Sequence, residues 1–251
     1  MTRAKVFRIR LTATAFVLLL AVAVVRLLWY PGGYFAISGV STLLLVLIGV
    51  VVILGPGLSA VVYKPEKPGL RFDLIVIACV EIAVIAWAMF EICDRRPAFT
   101  VFAVDRFEVV TRSEVDLEPL TDSNLATRHG HMPRLIYAEL PSDPKIMNQL
   151  IDDTVFLGIA DIDRRPEFWK PYARGVSAVK ARARPLSQFL TLSDDLSGPV
   201  KRWLARRNAS DYAYLPIRAR GGDAIMIIHA DVGYPVGIVA VDPWQRIPSA
   251  P

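Results

Sequence analysis

LTATAFVLLLAVAVVRLLWY, residues 11–30, is an apolar run whose single charge is Arg26, and two more runs of the same kind follow it. The second extends from about Gly39 to Tyr63 and the third from Leu74 to Cys93. A helix rises 1.5 Å per residue, so each run is long enough to cross a hydrocarbon layer of about 30 Å. Three transmembrane helices are therefore expected, over about 11–30, 39–63 and 74–93. Ala21-Val22-Ala23 mimics a cleavage site behind a basic start, yet the apolar run continues to Trp29. It reads as an uncleaved signal anchor.

Composition divides the 251 residues in two. Hydrophobic residues make up 53% and charged ones 21%, shifted toward lipid from the soluble averages of roughly 45–50% and about 25%. Of the 53 charges, 41 lie in residues 94–251. Residues 1–95 are thus a membrane anchor, and residues 96–251 one soluble domain of ordinary size. A collagen-like, disordered or disulfide-stapled chain is excluded. Cys79 and Cys93 lie 14 positions apart on one helix, about 21 Å along its axis, and cannot bridge each other.

Cation placement sets the expected orientation. Arg3, Lys5, Arg8 and Arg10 precede the first run, and Lys64, Lys67 and Arg71 lie between the second and third; the loop 31–38 holds none. The positive-inside rule puts the N-terminus in the cytoplasm and residues 96–251 on the far side, the periplasm in a bacterium with two membranes. Trp29, Tyr30, Tyr34 and Phe35 read as an aromatic belt at that outer boundary. The net charge of +5 is concentrated beside the membrane, and residues 94–251 sum to +1. No basic stripe marks the soluble domain, so nucleic acid is not an expected partner.

In the soluble domain, FTVFAVDRFEVVT (99–111) reads as one strand or two short ones, and Leu135–Leu140 as another. Ser142-Asp143-Pro144 opens a helix to about Thr154. Further helices are expected near Ala173–Arg182, Leu186–Leu192 and Pro199–Asn208. Tyr212–Arg220, Ala224–Ala230 and Pro235–Val241 read as strands joined by Gly-containing turns. The expected fold is an α+β domain with a small antiparallel sheet covered by helices on one face.

Searching for chemistry returns little. His129 and His131 form a His-x-His pair, but a zinc site needs further ligands, and no Cys or HExxH helix supplies them. Asp152-Asp153 and Asp194-Asp195 are adjacent pairs, explained by helix-end solvation. No GxSxG elbow, P-loop or GxGxxG turn is present. No catalytic residue, metal or cofactor is expected. Within the spans, Gly55 and Ser59 form a small-xxx-small pair that admits a neighbouring helix, from this chain or a partner. Glu81 lies too deep to reach Arg26, about 14 Å away in depth. It must be neutral, face a wet crevice or meet a donor, in this chain or in a partner.

Irregular segments carry a resemblance. WYPGGYF (29–35), LGPG (54–57), YKPEKP (63–68), LRFDL (70–74), RP (96–97), FAVDRFEVV (102–110), RPEFWKPY (165–172) and YLPI (214–217) stand in this order. Together they resemble the TfpX/TfpZ (FimB-like) family of type IV pilin accessory proteins, from about residue 8 to 244. The resemblance implies a multi-pass inner-membrane protein that supports production or assembly of the major pilin, with the bilayer and pilin as partners. It implies no enzymatic activity. A sensor and a pilin-modifying enzyme are the alternatives. The family pattern has an acidic residue after a Gly-Val pair, where this chain has Gly49-Val50-Val51. The candidate partner-binding residues are Glu81, Gly55 and Ser59 in the spans, and Phe168, Trp169 and Tyr172, whose flanking prolines would hold a rigid aromatic contact surface unless these rings instead anchor a loop onto the core.

Overall fold

In a computed structural model, residues 2–64, 68–118, 120, 125, 132–191 and 194–244 are described. The chain divides into two compact units, one of Met1–Trp29 and Gly39–Arg95, the other of Tyr30–Ser38 and Arg96–Pro251.

The first unit is three helices, α1 (Arg3–Trp29), α2 (Val40–Val62) and α3 (Leu70–Asp94). Each is long and apolar enough to cross a membrane, with mean hydropathies of 2.4, 2.6 and 2.3. Leu18, Leu47 and Val51 pack together with Val84, Ile85 and Ala88 at their contact. Phe72, Ile75, Ile82, Trp87 and Phe90 of α3 point outward and are exposed. Helices apolar on every side suit lipid, where outward apolar groups carry no penalty. The three helices fit a membrane protein. Pro56 lies inside α2 and offers no N–H, and there the winding loosens to a π-helical turn over Ile53–Gly57.

The second unit is built on a sheet. Its strands are β1 (Pro97–Ala103), β2 (Arg106–Thr111), β3 (Arg134–Ala138), β4 (Trp169–Pro171), β5 (Arg184–Pro185), β6 (Tyr212–Ala219), β7 (Gly222–His229) and β8 (Pro235–Val239). Their order is β4-β3-β1-β2-β6-β7-β8, with β5 paired to β6. The expectation of a small antiparallel sheet is corrected here, because the sheet has eight strands and is mixed. β1 runs parallel to β3 and β2 parallel to β6, while the other neighbours are antiparallel.

Helices cover both faces of this sheet, not one. Neighbouring residues on a strand point to opposite faces. Phe102, Phe107, Leu215 and Met226 pack with Tyr172 and Val179 of α5 (Tyr172–Arg182) on one side. On the other, Val101, Val110 and Ile136 meet Leu150 of α4 (Pro144–Phe156). Tyr214, Ile225 and Ile227 on that same side meet Val200 and Leu204 of α6 (Asp194–Leu204). Pro199 therefore sits inside α6, and Leu186–Thr191 is a 3-10 turn.

Residues 30–38 fold into this second unit. The Tyr34 hydroxyl meets Thr100 Oγ1 at 2.7 Å, and Gly221 N–H donates to the Ile37 carbonyl at 2.8 Å. Tyr30 and Tyr34 are buried, so two of the four residues read as a boundary belt are instead packed inside protein.

Candidate functional site

Three sequence candidates converge within the first unit. Glu81 of α3 is 6% exposed and Ser59 of α2 is fully buried. Gly55, one turn before Ser59, lies so close that a Cβ there would collide with the Glu81 carboxylate. The donors come from α1. Arg10 Nη2 donates to Glu81 Oε2 at 2.9 Å, and Thr14 Oγ1 donates to Glu81 Oε1 at 2.5 Å. Arg10 Nε also donates to Ser59 Oγ at 3.2 Å. One guanidinium thus joins all three helices through charge-assisted bonds. Arg10 and Thr14 are the residues that sequence reasoning missed. Arg10 ends the basic tail and reads as a topology signal, yet its long side chain reaches up to a carboxylate inside the span. Glu91 pairs with Arg95 one turn along its own helix, at 3.2 Å. The small pair on α2 is met by this chain's own helices.

The aromatic segment falls elsewhere, in the second unit. Trp169 is 1% exposed and its ring lies 4.9 Å from that of Phe99. Tyr172 is buried, and its hydroxyl donates to the Gly233 carbonyl at 2.7 Å. Phe168 is half-buried, with the Arg165 guanidinium 5.5 Å from its ring centre. Trp169 and Phe168 belong to the core on one sheet face, while Tyr172 belongs to the other.

A second polar group absent from the sequence reading joins β2 to the 3-10 turn Ile162–Arg164. Glu108 and Asp163 are both buried carboxylic acids. Burial pushes the Asp163 carboxyl up to about 6, with the charges of Glu108 and Asp161 adding to the rise and Arg164 opposing it. Burial likewise raises Glu108, against its 2.8 Å bond from Arg106 and the charges of Arg218 and Arg164. The folded protein therefore binds a proton at Asp163 more tightly than the unfolded chain, where an aspartate titrates near 3.9. That contribution stabilises the fold below about pH 4 and is lost as pH rises through about 6. Asp163→Asn is expected to melt higher than the parent at pH 7.5, by about 1–2 kcal/mol after the loss of the Arg164 pair. The difference should shrink as pH falls through about 6 and close only below about pH 4. Equal melting midpoints at pH 7.5 and below about pH 4 would refute the assignment.

Among the described residues, no group of three His, Cys, Asp or Glu is placed to hold a metal ion. His129 and His131 lie outside the described residues, as do the side chains of Asp194 and Asp195. Asp153 is paired with Arg165 at 3.0 Å, and His229 Nδ1 accepts the Asp231 N–H at 3.3 Å. Cys79 and Cys93 are not in disulfides.

Comparison with known proteins adds the decisive likeness. The chain is 25% identical over 236 residues to the "Fimbrial assembly protein, serogroup I" of Dichelobacter nodosus, a match spanning 88% of this chain and 90% of that one. It is 26% identical over 224 residues to the serogroup E1 protein of the same organism, spanning 85% and 86%. A third relative, for serogroups C1 and C2, is 26% identical over 121 residues, which is 45% of this chain. These relatives agree with the resemblance to type IV pilin accessory proteins. No family model matches the chain, and no solved structure does.

Proposed function

We propose that this protein is an inner-membrane accessory factor of type IV pilus assembly that binds and supports the major pilin, as a binding protein and not an enzyme. The observation that carries the reading is the extent of the match to a fimbrial assembly protein, 88% of this chain and 90% of the relative. It embraces the membrane helices and the sheet unit together. The cations of the N-terminal tail and of residues 64–73 favour the cytoplasmic side. Residues 30–38 and 96–251 then lie in the periplasm. A pilin with an apolar helix in the bilayer and a periplasmic head would meet both units, and the second contact would be intramolecular and so gain avidity. A clean deletion is expected to lower pilin level or surface piliation, and a plasmid copy to restore it. Normal piliation in the deletion would overturn the proposal. A reporter active only in the periplasm should work after Trp244 and stay silent within residues 64–69.

A further inference from the structure

We propose that the outer face of α4, with the stretch that follows it, seats an apolar segment of a partner protein flanked by lysine or arginine. A surface helix needs one apolar stripe to dock on its domain. The apolar face of α4 is wider than its contact with the sheet. Leu150, and Met147 beside it, face the sheet core. Ile151 and Val155, continuing that face on one flank, are 50% and 67% exposed. Phe156 at the end of the helix, and Leu157 and Ile159 beyond it, are 76%, 69% and 44% exposed. A contiguous apolar surface of this kind, outside the spans, marks an interaction site.

The surface is concave as well as apolar. A cavity of roughly 270 Å³ opens beside α4, lined by Val104, Met147, Leu150, Ile151, Val155 and Ile162. That shape accepts inserted side chains, as an anchoring hot spot requires.

Charge identifies the occupant. Residues 139–167 carry seven carboxylates against three cations, Lys145, Arg164 and Arg165; the two arginines pair with Asp163, Asp153 and Glu167, and Glu139, Asp143, Asp152 and Asp161 supply the remaining negative charge. Asp161 stands in the cavity wall and Asp152 is exposed. The surrounding potential is negative on a chain whose net charge is positive. An anionic lipid surface and a second copy of the same face are both repelled, whereas an apolar segment with basic flanks is attracted. This rests on the pilin-binding reading and assigns such a segment of the pilin to α4.

The test uses the full chain in lipid nanodiscs, with purified full-length major pilin as the probe. Val155→Asp is expected to weaken pilin binding at least about tenfold with an unchanged melting midpoint, since Val155 is exposed. Reversing Asp152 and Asp161 to lysine should weaken binding and flatten its salt dependence without adding bulk to the core. Pilin that binds every variant alike overturns the groove and leaves the pilin-binding reading standing. Pilin that fails to bind the unsubstituted chain overturns both. Two further results also overturn it: a nitroxide at Leu157 reached by lipid-borne oxygen without pilin, and a self-dimer that Val155→Asp dissociates while pilin binding persists.

Discussion

Replacing Arg10 by alanine is expected to destabilise the three-helix unit by about 3–5 kcal/mol, more than Glu81→Ala does. The asymmetry follows from exposure. The Glu81 side chain is 8% exposed and the Arg10 side chain 27%. Without Arg10, the carboxylate keeps the Thr14 hydroxyl and stays buried within the helices. Without Glu81, the guanidinium keeps Ser59 and can swing back to the headgroups from which its helix starts. Removing both partners eliminates the stranded charge, so the double variant should lose less than the two single losses added together. The shortfall measures the coupling. Unfolding of the full chain in mixed micelles at rising denaturing-detergent fraction reads these differences. Strictly additive losses, or a Glu81 variant weaker than the Arg10 variant, would show that the bond does not hold the helices together.

The spans were legible because an apolar run of about 20 residues has one meaning in a chain this long. In the sheet unit, the hairpin pairs were also legible. Tyr212–Ala219, Gly222–His229 and Pro235–Val239 are consecutive antiparallel strands joined by short turns. The mixed topology was not. β1 pairs with β3, and β2 with β6, across intervals of about 30 and 100 residues that leave no local mark. One clue was present, since Ala224–Ile228 and Phe99–Ala103 are nearly unbroken apolar runs. Strands buried on both faces read this way, whereas a sheet covered on one face alternates.

For the candidate site, spacing joined Gly55 to Ser59, and depth removed Arg26 as a partner of Glu81. Neither argument reached Arg10, because a basic residue before a span has a sufficient explanation in topology. The α4 surface was hidden for a related reason. Met147, Leu150, Ile151 and Val155 together look like one generous amphipathic face, and only burial separates the part that meets the sheet from the part that does not.

Trp169→Ala is expected to cost about 3–5 kcal/mol of the sheet unit's stability, the loss typical of a large buried aromatic. The sequence RPEFWKPY admits two readings, a contact surface held by prolines or a loop anchored onto the core, and a surface tryptophan would be removed with little change in melting. Trp169 is instead 1% exposed, with its backbone paired to Ala138 in β3 and its ring against Phe99. Its Nε1 is buried and has no hydrogen-bond partner among the described residues. Trp169→Phe therefore removes an unsatisfied donor while leaving a smaller void, and the two effects should nearly offset, within about 1 kcal/mol. Tyr172→Phe differs, because it strips the Gly233 carbonyl of its donor and should cost about 1 kcal/mol. Thermal melts of the three variants, run beside a piliation assay, separate packing from contact. If Trp169 acts through packing, piliation follows the folded fraction, and Trp169→Phe keeps both. A Trp169→Ala protein that melts like the parent and still loses pilin support would place the indole at the partner surface instead.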